Sequence, residues 1–171
     1  MNCTFGKQWI PGLTYATDWT DKGKHDAFTE TGTYGPFVKR FLSKPEGDMK
    51  MFHVDFEPAG GLTSALSAPV TELATIYFEG KPPSGYLDRV HKFIDALKGG
   101  DGLLGAAIGL THEELEYDGK KGQGALLAVG WQSVEAHMAL RETSAFKDNI
   151  KLLTEGRIGV EMHHVAMMRS L

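Results

Sequence analysis

Residues 70–78, VTELATIYF, alternate between two faces and are rich in β-branched and aromatic side chains. Pro69 and Gly80 bound them, so they predict a strand. One face carries Thr71, Leu73, Thr75 and Tyr77; the other carries Val70, Glu72, Ala74, Ile76 and Phe78. After Pro82–Pro83 the period changes. Leu87, Val90, Ile94 and Leu97 recur at helical spacing between Tyr86 and Lys98, and Gly99–Gly100 stop the helix. Leu103–Leu110 and Ala125–Trp131 predict two more strands, with the polar THEELEYDGKKGQG between them as the long loop of a hairpin. A second helix opens at Ser133, an N-cap, and turns Val134, His137, Leu140, Phe146, Ile150 and Leu153 inward. Gly156 and Gly159 end it, and Val160–Met168 is a last strand. The order β-α-β-β-α-β is the ferredoxin-like arrangement, an α+β fold with its helices on one face of a four-stranded antiparallel sheet.

The chain writes part of this pattern twice. AVGWQSVEAHMALRET (128–143) and ATDWTDKGKHDAFTET (16–31) align without a gap and share Ala, Trp, His, Ala, Glu and Thr. MFHV (51–54) answers MHHV (162–165), so His53 matches His164. Asn2–Gln8 and Leu13–Trp19 read as a hairpin turning at Pro11–Gly12; residues 22–42 are helical with a break at Gly32–Gly35, and Met51–Phe56 is a strand. Residues 1–58 therefore form a truncated repeat lacking its opening strand and helix, 59–69 have the composition of a linker, and 70–171 form a complete repeat. The missing strand would be central. Either Asn2–Gln8 moves to the other side of its hairpin partner and fills the slot, or a second chain donates a strand and the protein is a homodimer.

Composition narrows the function. A net charge of −4 gives no basic field for nucleic acid, and no apolar run reaches membrane length. Cys3 is the only cysteine, which excludes an internal disulfide and any multi-cysteine zinc site. With no signal-like N-terminus, the expected location is cytoplasmic. No HxH or HxxxH with acidic support occurs, and GGDGLLG (99–105) lies between helix and strand, the reverse of a phosphate loop, so neither metal nor cofactor is expected.

GWQSVEAHMAL after the third strand and the VEMHHVAM ending resemble the antibiotic biosynthesis monooxygenase-like family of the dimeric α+β barrel superfamily. MFHVDFEP (51–58) and SAPVTEL (67–73) are similar to its fungal tandem version. The resemblance implies two sheets closing face to face into a barrel, helices outside, and a ligand pocket between one repeat's sheet and its own helices. It also implies a pocket role for Trp131 and puts Thr75 where oxygenase relatives carry an asparagine. Ile150 falls where haem-degrading relatives carry a ligand histidine, which argues against haem.

Tyr77 shares the Thr75 face and can hold a carbonyl or hydroxyl; Leu73 lies on the same face, and Tyr86 opens the helix above it. His91, on the inner side of that helix, is a candidate acid or base. His163 and His164 point to opposite sides of their strand, one toward the pocket. The expected catalytic set is His91, His164 and Tyr77, with Trp131, Thr75, Leu73, Tyr86 and His163 binding substrate. His25 and His137 read as structural histidines bonded to backbone, and Glu72 and Glu142 as structural or solvated. The expected function is a cofactor-independent enzyme of secondary metabolism that shapes an apolar polyketide- or terpenoid-like molecule for cyclisation or isomerisation, pericyclic steps included. Thr75 in place of the amide ranks this above a cofactor-free monooxygenase; a non-catalytic binder of apolar ligands is the third class.

Overall fold

The computed structural model describes residues 2–8, 14–19, 21–42 and 49–167. The chain divides into two compact units, residues 1–55 and 56–171. The first contains β1 (Asn2–Gln8), β2 (Thr14–Trp19), α1 (Lys22–Thr29), α2 (Tyr34–Leu42) and β3 (Met49–Asp55). β1 is antiparallel to both other strands, and Thr4 stands opposite Thr17 on one side and His53 on the other. The chain's own Asn2–Gln8 thus occupies the central place. The expected turn at Pro11–Gly12 lies outside the described residues. Asp21 caps α1, its carboxylate accepting from the Lys24 backbone N–H at 3.0 Å.

The second unit runs α3 (Ala59–Leu66), β4 (Val70–Tyr77), α4 (Tyr86–Leu97), β5 (Leu103–Tyr117), β6 (Lys120–Trp131), α5 (Val134–Arg141), α6 (Ser144–Thr154) and β7 (Gly159–Val165). Its strands lie in the order β5-β6-β4-β7, all antiparallel, which is the ferredoxin-like order with the first strand central. Glu57 adds a short bridge on the outer edge of β5, exchanging both backbone hydrogen bonds with Ile108.

Three expectations are corrected here. Residues 59–69 are mostly helix rather than linker, because Leu62 and Ala65 share one side of α3 and are both buried. Small residues let that helix lie almost on the sheet: a Cβ on Gly130 would stand 2.7 Å from the Ala65 Cα. The Thr71 hydroxyl then donates to the Ala65 carbonyl at 2.8 Å. The polar stretch 111–124 is not a loop either. β5 and β6 continue through it as a ladder, joined only by Asp118–Gly119, whose φ values of 50° and 74° suit a tight hairpin turn. It is polar because it extends past the end of β4 as a ribbon. The helix after Ser133, finally, is two helices, broken at Glu142 and restarted by Thr143, which accepts from the Phe146 N–H at 3.3 Å.

The core fixes which sheet face matters. Ala74 and Ile76 of β4, and Phe78 just after it, pack with Leu127, Val129 and Trp131 of β6 beneath Val90, Phe93 and Leu97 of α4. Burying each of the larger side chains stabilises by about 1.5–3 kcal/mol. α4 buries Tyr86, Val90, Phe93 and Leu97, whereas Leu87 and Ile94 only flank the contact. Its inner stripe is thus rotated from the expected one, and His91 moves to the side.

Candidate functional site

A cavity of about 250 Å³ remains between the sheet and its helices. Its walls are apolar, with Ala74, Phe93, Leu127, Val129, Phe146 and Ile150 among them. One end is polar. There β4 supplies Glu72, the end of β6 supplies Trp131, and α5 supplies His137 and Arg141.

Local sequence sets each of these. Ser133 accepts from the Ala136 N–H at 3.2 Å and starts α5 directly after β6, which brings His137 back over the Trp131 ring. The two rings stack with centroids 4.6 Å apart and planes 17° apart. The Trp131 indole N–H donates to Glu72 Oε2 at 2.9 Å. His137 Nε2 lies 3.5 Å from the same oxygen, and its Nδ1 lies 2.9 Å from Nε2 of His164. His164 stands opposite Glu72 in the β4–β7 register and so shares its face. The result is a chain from carboxylate to imidazole to imidazole that starts at the polar end of the cavity.

Burial dominates its electrostatics. Desolvation raises the Glu72 pKa above the ordinary carboxylate range, against the Trp131 hydrogen bond and the Arg141 charge, which lower it. His137 is pushed down to about 4, by desolvation first and then by His164 and Arg141. Desolvation lowers His164 as well. At neutral pH the imidazoles are uncharged, so His137 and Glu72 form no ion pair. A carboxyl with a raised pKa, bonded to one N–H donor and near a neutral imidazole, can take a proton from a bound molecule and return it.

Several expected site residues lie elsewhere. Thr75, Leu73 and Tyr77 are buried on the face opposite the cavity. The Tyr77 phenol donates to Glu161 Oε2 at 2.9 Å, and burial holds its pKa far up. Alternation had separated the faces correctly, but both are apolar, so it could not say which one meets the helices; Glu72 is on the side that does. The Tyr86 phenol donates to the Leu153 carbonyl at 3.0 Å. His91 lines a different hollow, of about 590 Å³, beside Glu57 at 3.7 Å. His163 stands opposite Leu73, away from the cavity, while His164 joins the polar chain and Trp131 forms cavity wall. His137, expected to bond to backbone, bonds to His164 instead.

The first unit contains a matching pair. His25 Nδ1 lies 2.6 Å from His53 Nε2, and the Trp19 and His25 ring centroids are 5.0 Å apart. Helix histidine, strand histidine and tryptophan take the same relation in each unit. Thr4 stands in register with His53, where Glu72 stands in register with His164. The Trp19 indole N–H donates to Thr17 Oγ1 at 3.0 Å. The repeated Trp–His–His pattern was the one sequence signal that pointed to His137.

Glu72, His137 and His164 bring possible ligand atoms within 4.8 Å of one another, as do His25, Asp26 and His53. His137, however, turns opposite ring nitrogens to its two neighbours, so the three do not converge on one point as metal ligands must. The Asp26 carboxylate is exposed and bonded to Lys22 at 2.8 Å.

Fold and cavity together define a ferredoxin-like α+β protein with a largely apolar cavity under the helices of its second unit. Solved structures that share this fold include the following three. A candidate monooxygenase from Fusobacterium nucleatum is 13% identical with a TM-score of 0.60, over 98% of this chain and 76% of that one. An anthrone oxidase-like protein is 13% identical with a TM-score of 0.64, over 96% and 74%. A candidate monooxygenase from Lactobacillus acidophilus is 13% identical with a TM-score of 0.52, over 95% and 74%. No family model matches the chain, and no curated protein is significantly similar to it.

Proposed function

We propose that the protein is a cofactor-independent monooxygenase of a flat, apolar aromatic substrate, with the second unit as its catalytic module and the first as a truncated copy. The observation that carries this reading is the Glu72–His137–His164 chain at the end of an otherwise apolar cavity. The names of the three structural neighbours agree with oxygen chemistry. The argument for ranking cyclisation first rested on Thr75, which faces away from the cavity and has no hold on what happens inside it.

The chemistry needs a substrate that supplies its own electrons, such as the activated methylene of an anthrone-type ketone. Ionised Glu72 takes one proton from that carbon. The carbanion and dioxygen combine through a new C–O bond, and the peroxide anion takes a proton back by way of Glu72. Loss of the second C–H proton breaks the O–O bond, leaving a ketone and water. One methylene is oxidised by one dioxygen, so no outside reductant enters. His137 and the half-buried His164 carry the proton between Glu72 and solvent, and Trp131 orients both Glu72 and the His137 ring.

Anthrone incubated with the protein under ¹⁸O₂ should give labelled quinone faster than without protein, and E72Q should slow turnover about 10²–10³-fold. Full turnover under argon, or a mass-neutral product, would replace oxygenation by isomerisation or cyclisation. Binding without any turnover would leave a carrier.

A further inference from the structure

The cavity has a second polar end, which the oxygen chemistry does not use. Glu72 stands opposite His164 in the β4–β7 register, and Val160, four residues earlier on β7 and also a wall residue, lies roughly 13 Å farther along at about 3.3 Å per residue. Ile76 stands opposite Val160, and Arg157 and Thr154 line the cavity near that level. A second guanidinium lies close by. Arg89 sits over the Tyr86 ring with its carbon 5.8 Å from the centroid, and its Nη1 is 3.5 Å from Glu155 Oε2.

Arg89 has one carboxylate partner, Glu155, and neither guanidinium is fully satisfied from within. Among the described residues no carboxylate pairs with Arg157. Arg89 has Nε and Nη2 buried without a hydrogen-bond partner. Arg89 does not line the cavity itself; Arg157 does, and a cavity-lining guanidinium with no carboxylate partner is a place where an anion can bind. Burial pushes the Tyr86 phenol above its ordinary value while Arg157 and then Arg89 oppose the rise, so both charges act on the same small region. On a chain of net charge −4, Arg157 without a carboxylate partner and Arg89 paired only with the exposed Glu155 form a local positive field against the general sign.

We infer that the substrate is an amphiphilic anion, an aromatic body carrying a carboxylate, whose acid group docks at the Arg157–Arg89 end and so presents its far edge to Glu72. This deepens the oxygenase reading by naming the substrate class, and it rests on that reading for what happens at the far edge. The anion would supply acceptors to the guanidinium fork, and the distance between the ends would select molecules about three fused rings long.

Binding tests the inference apart from catalysis. Anthracene-2-carboxylate and its neutral carboxamide have the same rings and nearly the same size, and both can be titrated by fluorescence. The carboxylate should bind at least about tenfold more tightly at low salt, and the advantage should shrink as salt rises. R157Q should bring the two compounds to within about twofold, R157K should restore part of the difference, and R89Q should reduce it. Arg141, at the Glu72 end, is the positional control: R141Q should leave the preference intact. Equal affinity of the two compounds for the unaltered protein would overturn the inference, as would a preference that survives R157Q or disappears in R141Q. If the carboxylate preference holds and no oxygen is consumed with any anthrone, the anion site stands and the oxygenase reading falls.

Discussion

At the residue scale, the proposed chemistry depends on one carboxyl, Glu72, and on the indole that bonds to it. Glu72 works as a base only when ionised, and burial raises its pKa, so activity should fall as pH drops through a value above the ordinary carboxylate range. A pH–rate profile checks this: the acid limb should vanish in the residual activity of E72Q. W131F removes the donor to Glu72 Oε2 while keeping a ring against His137. It should raise the apparent pKa of that limb and lower kcat about tenfold; an unchanged limb would mean that the indole only packs. Composition could not single out Glu72, because a lone acid on an apolar strand reads as an edge or solvated residue until its face is known. Trp131 and His164, both named from the sequence, do meet at the polar end of the cavity through His137. Thr75, Tyr77 and Leu73 were misplaced by the choice of face, and His91 by a small rotation of α4.

At the element scale, the segment that composition gave to a linker is the one with the tightest packing. α3 rests against β5 and β6 through small residues, and a Cβ on Gly61 would collide with the Ala106 carbonyl oxygen. G130A, which sets a methyl group 2.7 Å from the Ala65 Cα, should destabilise by about 1–3 kcal/mol in chemical denaturation. G60A, where a Cβ meets nothing within 4 Å, should fall within about 0.5 kcal/mol of the parent. The turn at Asp118–Gly119 gives a second check. Asp tolerates the left-handed φ of 50° far better than a β-branched residue does, so D118V should cost about 1 kcal/mol or more. That turn was written in the sequence as Asp-Gly, yet its polar flanks concealed the ladder, since strand patterning is weak where a ribbon leaves the covered sheet.

At the scale of the whole molecule, the buried titratable groups act on stability with opposite signs. His137 and His164 have folded pKa values below their unfolded ones, so their contribution is complete above pH 6.5 and is lost as pH falls, toward about 4 for His137. Thermal melts should show the midpoint dropping across that window, on the order of 2–3 kcal/mol in stability for His137, with a flatter profile in H137Q. Glu72 has a folded pKa above its unfolded one; it favours the fold below pH 4.5 and loses that contribution as pH rises through the raised value. E72Q should therefore gain stability relative to the parent as pH increases, and a difference that stays flat with pH would contradict the raised pKa.

The sequence by itself determined the element order of the second unit and its α+β class, and left open whether Asn2–Gln8 or a second chain fills the central place in the first, which the strand register decided. Periodicity, caps and turn residues are local, and the repeated Trp–His–His pattern survives without coordinates. Only the tertiary structure decided which face of β4 looks into the cavity, that 59–66 is a helix, and that Glu72 meets His137 and His164. Those three side chains come from β4, α5 and β7, and their meeting depends on sheet register and helix rotation, which no local pattern encodes.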